Sequence, residues 1–166
     1  MSKNYKQFSP VKQFFDMSCW AASLEWWTRY MSPQKTLKVQ SSLIYEARDL
    51  GYSPNVAPLE PDYAALQIEH TETMLRRPDF AGMNAARVLS FDLTPTYLKE
   101  KLAKGPMFIS YYDASVGGGH ANIIINCKTK STGISSVRVM EPRTGTFERR
   151  TIDFYYNDGD TIIGWL

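Results

Sequence analysis

The chain has 166 residues, 43% of them hydrophobic and 13% aromatic, with 19 Lys+Arg against 17 Asp+Glu for a formal charge of +2. That length suits one compact domain spanning 1–166, and that apolar share is ample for a core, which excludes a disordered or linker-like chain. The near-balanced charge, with basic clusters no longer than Arg76 with Arg77 and Arg149 with Arg150, argues against a nucleic-acid binder, which would concentrate cations into a phosphate-neutralising patch.

In chain order, the N-terminal stretch carries lysines but no apolar segment of signal-peptide length and no small-residue cleavage site, so synthesis in the cytoplasm without a cleavable signal is expected. No run of about 18 apolar residues occurs, and no membrane span is expected. Trp20, Leu24, Trp27 and Met31 recur at helical spacing and predict a helix over 19–31. A second helix is predicted over 41–50, stopped by Gly51, and a third over 61–74, with Pro61 in its first turn. Thr94 as N-cap, Pro95 at the first helical position and Gly105 beyond the last turn mark another helix. Strands rich in β-branched and aromatic residues are predicted over 86–91, 107–112, 120–128, 137–141, 147–155 and 161–165. Strands following directly on strands imply antiparallel pairing, and the fold class expected is α+β, a helical lobe packed on an antiparallel sheet.

Cys19, at the start of a helix, is placed to be a nucleophile, because unpaired backbone N–H groups and the positive end of the helix dipole favour a thiolate there. Gln13, six residues earlier, could join the Cys19 backbone N–H in holding an oxyanion. The partner base should be a histidine, and the chain has two. His70, among Glu69, Thr71 and Glu72, reads as a solvated surface residue. His120 follows Gly117, Gly118 and Gly119 and opens an apolar strand, with Asn122 on its own face and Ile123 and Ile125 on the other. Glu141, at the next strand's end before Pro142, is the candidate to orient the imidazole, with Asn122 and Asp113 as alternatives. Cys127 reads as core, and Cys19 and Cys127 as two free thiols. Two Cys and two His are too few, at this spacing, for a zinc site.

The run Gln13-Phe-Phe-Asp-Met-Ser-Cys19-Trp20 resembles the active-site segment of papain-like cysteine peptidases, which share a Gln six residues before the nucleophile and a Trp directly after it. The Gly-Gly-Gly-His120 segment and the run Glu141-Pro142-Arg-Thr-Gly145 fit in the same chain order. The short length is closest to the compact branch, which includes the double-glycine peptidase domains of bacteriocin-exporting ABC transporters and effector proteases of pathogenic bacteria. In that branch the third position is usually Asp before Pro, where this chain has Glu141 with one more methylene.

The resemblance implies a papain-like fold and hydrolysis of a peptide bond in a protein or peptide substrate without a cofactor. It also implies small residues such as Gly-Gly on the acyl side, with Trp20, Gly118 and Gly119 walling the groove. A monomeric toxin or effector delivered by a specialised secretion system, with a cognate immunity protein, is the biological role it suggests. A peptidoglycan amidase, a deamidase and a catalytically dead binding module are the alternatives.

Overall fold

Pairs of neighbouring apolar residues recur along the C-terminal half: Phe108 with Ile109, Ile123 with Ile124, Val139 with Met140, Ile162 with Ile163. In a strand the two members of each pair face opposite ways, so such a sheet must be covered on both sides. The computed structural model describes residues 4–31, 38–54, 56, 57, 60, 63–131, 135–156 and 159–166. Its six strands are β1 (Asn84–Leu89), β2 (Met107–Asp113), β3 (Gly118–Thr129), β4 (Ser135–Glu141), β5 (Thr146–Thr151) and β6 (Asp160–Trp165). They form one antiparallel sheet in the order β1-β6-β2-β3-β4-β5. Phe108, Ile123, Met140 and Ile162 join the core beneath the N-terminal helices. Ile109, Ile124, Val139 and Ile163 join a second core on the opposite face, closed by Leu93, Leu98, Ile152 and Tyr155. The class is α+β, as the pattern of elements implied.

The helices are α1 (Cys19–Met31), α2 (Gln40–Asp49), α3 (Ile68–Arg76) and α4 (Pro95–Lys101). α1 lies against β3 and is buried around most of its circumference, as a helix carrying apolar residues on several faces must be. Its three indoles satisfy their N–H groups at scattered points of the chain: Trp20 donates to Ala64 O (2.7 Å), Trp26 to Phe8 O (3.1 Å) and Trp27 to Pro106 O (2.8 Å). Each indole thus fills core volume and pins a non-helical segment to α1.

Three expectations are corrected. The third helix begins at Ile68, not near residue 61; Pro61 itself lies outside the described residues. Residues 63–67 stay non-helical because their polar groups are taken elsewhere: Ala64 O by Trp20, Ala65 O by the Ser53 hydroxyl, and Gln67 N by Tyr52 O (3.1 Å). The strand expected over 147–155 stops at Thr151 and continues as a 3-10 turn, Ile152–Tyr155. There Ile152 and Tyr155, three apart, both enter the second core, a spacing a strand cannot provide. The first strand is shifted to Asn84–Leu89, its limits set by pairing with the whole of β6, from Asn84 opposite Trp165 to Leu89 opposite Asp160.

The segment 12–18 is strapped across the start of α1. Buried Gln40 accepts from Phe14 N (3.1 Å) and donates to Lys12 O (2.8 Å), while its own backbone N–H goes to the Glu25 carboxylate of α1 (2.8 Å). Gln13 N donates to Pro142 O (2.8 Å) in the β4–β5 turn, where Gly145 sits at φ 66° and an added Cβ would stand 2.9 Å from Lys12 Cβ. Gln40→Ala removes the strap's anchor and leaves two backbone groups short of partners. It is expected to cost about 2–3 kcal/mol in urea unfolding, whereas a cost near zero would show that the strap does not depend on it.

Candidate active site

Cys19 is the first residue of α1, and its backbone N–H therefore lacks an intrahelical acceptor. Ser18 forms the entry: its carbonyl accepts from Ala22 N (3.1 Å), and its hydroxyl accepts from Phe15 N (3.0 Å). His120 sits three residues into β3, directly opposite Tyr111 of β2, whose ring meets the imidazole edge-on at 5.8 Å. Glu141 ends β4. All three are buried, with Cys19 at 7%, His120 at 4% and Glu141 at 2% exposure.

His120 Nε2 donates to Glu141 Oε1 at 2.6 Å, and the Cys19 thiol lies on the other side of the imidazole, close enough to act on its charge. With Nε2 held by the carboxylate, Nδ1 is the ring nitrogen left for the thiol. Burial alone would push the His120 imidazole down, but its interactions with Cys19 and Glu141 lift it to about 9. Burial alone would push Glu141 up; the hydrogen bond and charge of His120, the Arg143 N–H and the Arg150 guanidinium bring it down to about 2. Such a site keeps the imidazole charged and the carboxylate ionised through neutral pH.

Glu141 is thus the group that orients the imidazole. The two alternatives are engaged elsewhere: Asn122 donates to Tyr111 Oη (3.3 Å) and accepts from Tyr155 Oη (3.2 Å). Asp113 accepts from Ser115 N (2.9 Å) and the Ser115 hydroxyl (2.6 Å). Asn122 does share the face of His120, and Ile123 and Ile125 pack on the helical side, as strand alternation required.

The Gln13 amide is turned away from the expected oxyanion role. Its nitrogen donates to Phe15 O (2.9 Å) and Asp16 O (2.7 Å), and its Oε1 is buried without a hydrogen-bond partner among the described residues. The turn after Gln13 brings those two carbonyls to its amide, and bonding them uses both amide protons in this conformation. His70 is likewise not a free surface residue: it is half-buried and stacked on Tyr52 with centroids 5.0 Å apart. Both cysteines are free thiols; Cys127 packs at the margin of the second core, and burial pushes its thiol up.

A cavity of about 400 Å³ opens onto Cys19 and His120, with Met17, Trp20, Leu66, Ile68, Tyr112 and Gly119 in its wall. Trp20 is therefore both wall and core, its N–H spent on Ala64. Gly118, outside that wall, pairs with Asp113 at the start of the hairpin, and a Cβ on Gly118 or Gly119 would meet nothing within 4 Å. Open space, not crowding, surrounds these glycines.

Sequence reasoning missed Arg150, which donates to the second oxygen of Glu141 at 2.6 Å. Its only trace in the sequence is alternation along β5, and the partner is set by how β4 and β5 pair. It also missed the strap residue Gln40, an ordinary polar residue until tertiary contacts bury it. Among the described residues no group of three His, Cys, Asp or Glu side chains could hold a metal ion, and no described helix is long and apolar enough to cross a membrane. No protein-family model and no curated protein matches the chain.

The buried pair makes stability depend on pH with a definite sign. His120, raised from 6.5 to about 9, contributes stability fully below pH 6.5 that is lost as pH rises to 9. Glu141, lowered from 4.5 to about 2, contributes stability above pH 4.5 that is lost as pH falls to 2. The urea midpoint of the wild type should therefore exceed that of His120→Gln by most between pH 4.5 and 6.5, the gap narrowing toward pH 9. A gap constant from pH 5 to 9 would contradict this linkage.

Proposed function

We propose that the protein is a cysteine peptidase of the papain-like kind, with Cys19 as nucleophile, His120 as acid and base, and Glu141 as the residue that orients His120. The observation that carries this reading is the buried Cys19–His120–Glu141 series opening on a cavity. Its members stand in the chain order of the family that the sequence resembles. A coincidental trio would need a helix start, a strand start and a strand end to converge on one imidazole.

In this mechanism Cys19 Sγ attacks the scissile carbonyl carbon, and the carbonyl π electrons move onto oxygen. The oxyanion forms beside the N-terminus of α1, where the Cys19 N–H can donate to it. Gln13 becomes a second donor on releasing Phe15 O or Asp16 O. His120 gives its proton to the leaving amine, the C–N bond breaks, and an acyl-thioester remains on Cys19. The now neutral imidazole takes a proton from water, hydroxide adds to the thioester, and the thiolate leaves as the acid product departs. Glu141 holds the ring in one tautomer throughout and stabilises its charged form.

The cavity bears on the substrate. Its wall is largely apolar, and its volume exceeds what glycine side chains need, so a bulky apolar residue near the scissile bond fits better than the Gly-Gly pair implied by the resemblance. Asp160 at the rim is already paired with Arg87 at 2.9 Å and offers a basic side chain little unshared charge.

The test is incubation of a bacterial lysate with wild type or Cys19→Ala, followed by identification of new N-terminal peptides. New termini from wild type alone, with loss of more than about 10³-fold in rate on substitution, are expected, flanked by bulky apolar residues. Termini flanked by Gly-Gly would restore the double-glycine preference. Identical peptides from both proteins would sink the peptidase reading. Growth arrest from cytoplasmic expression of wild type but not Cys19→Ala would add the toxin role.

A further inference from the structure

A glutamate has one more methylene and one more rotatable bond than aspartate, so a buried glutamate needs more than one contact to hold a single geometry. Glu141 has them on both oxygens. Oε1 accepts from His120 Nε2 (2.6 Å) and Arg143 N (3.0 Å), and Oε2 accepts from Arg150 Nη2 (2.6 Å). Arg150 is itself held from every side. Its Nη1 donates to Tyr111 Oη (2.9 Å), its Nη2 also reaches Glu148 Oε2 (3.0 Å), and its guanidinium lies over the Phe154 ring at 4.3 Å. The side chain is 13% exposed. Tyr111 is in turn the residue opposite His120 in the β2–β3 register. The guanidinium therefore touches both the carboxylate that holds the imidazole and the ring that packs against it.

We propose that Arg150 is a positioning residue of this site: it clamps Oε2 of Glu141 so that the longer acid keeps Oε1 on His120. The proposal rests on the cysteine-peptidase reading for its purpose, though not for its geometry. A planar fork is what the place requires, because one group must meet Glu141, Glu148 and Tyr111 in different directions while stacking on Phe154. A lysine ammonium has neither the plane nor the spread. Glu141 and Arg150 thus belong together: the longer acid meets His120 with one oxygen and Arg150 with the other.

The charged and titratable groups facing His120 are Cys19 from α1, Tyr111 and Asp113 from β2, and Glu141 from β4 with Arg150 and Arg143 behind it. Removing Arg150 takes away one cation, which by charge alone would make His120 hold its proton more tightly. Losing the clamp has the opposite sign, because a Glu141 free to swing no longer accepts from Nε2. The direction of the change therefore separates positioning from simple electrostatics.

The chain has only two histidines, so the full-length protein labelled with ¹⁵N in the imidazoles can be titrated by NMR with His70 as internal control. In wild type the proton on Nε2 of His120 should appear far downfield. In Arg150→Gln that resonance should be lost to exchange or move upfield, and the His120 midpoint should fall by about one pH unit, with His70 unmoved. An unmoved or raised His120 midpoint in a folded variant would overturn the proposal. If Arg150→Gln does not fold, Arg150→Lys is read instead: a smaller fall supports the clamp, and no change overturns it. Failure of the peptidase reading is seen separately, as a wild type that shows the downfield proton yet cleaves nothing.

Discussion

Burying a carboxylate and an imidazolium together costs several kcal/mol of lost hydration unless nearly every polar atom finds a partner, and much of this sheet is arranged to meet that demand. Glu141 and His120 are 2% and 4% exposed and 2.6 Å apart. Their compensation comes from five elements: the thiol from α1, the Tyr111 ring from β2, the imidazole from β3, the carboxylate from β4 and the guanidinium from β5. A one-residue slip in any of these strands would turn its contribution to the other face. The register of the sheet and the chemistry of the site are therefore one constraint.

The helical side meets the same site through a backbone connection. Gln13 N is bonded to Pro142 O, and Pro142 follows Glu141 directly. The strap that leads into Cys19 is thus stitched to the turn that leaves the orienting acid, while Gln40 ties its other side to α2 and α2 to Glu25 of α1. The start of α1 and the end of β4 are referenced to each other by this backbone bond as well as through His120. The arrangement occupies the Gln13 amide with its own turn, so the strap as it stands holds Cys19 in place.

Periodicity and punctuation carried most of the element assignment. The spacing of Trp20, Leu24, Trp27 and Met31 predicted α1 with the limits observed, and Thr94 with Pro95 marked the start of α4, where the Thr94 hydroxyl accepts from Tyr97 N. Where the reading failed, a tertiary contact outranked a local preference. Trp20, Ser53 and Tyr52 hold residues 64–67 away from the helix that local pattern favoured. Burial of both Ile152 and Tyr155 ended β5 early.

The sequence by itself determined the residue types and their order: a thiol opening an apolar helix, a histidine opening a strand after glycines, an acid ending the next strand. These are local patterns, and local patterns are written in short stretches of chain. What only the tertiary structure decided was partnership: that Glu141, and neither Asn122 nor Asp113, receives the imidazole; that Arg150 holds its other oxygen; that Gln13 donates to its own turn; and that Gln40 anchors the strap. Each of those depends on side-chain direction and strand register across residues far apart in sequence, and a polar side chain's partner is set by what burial leaves within reach.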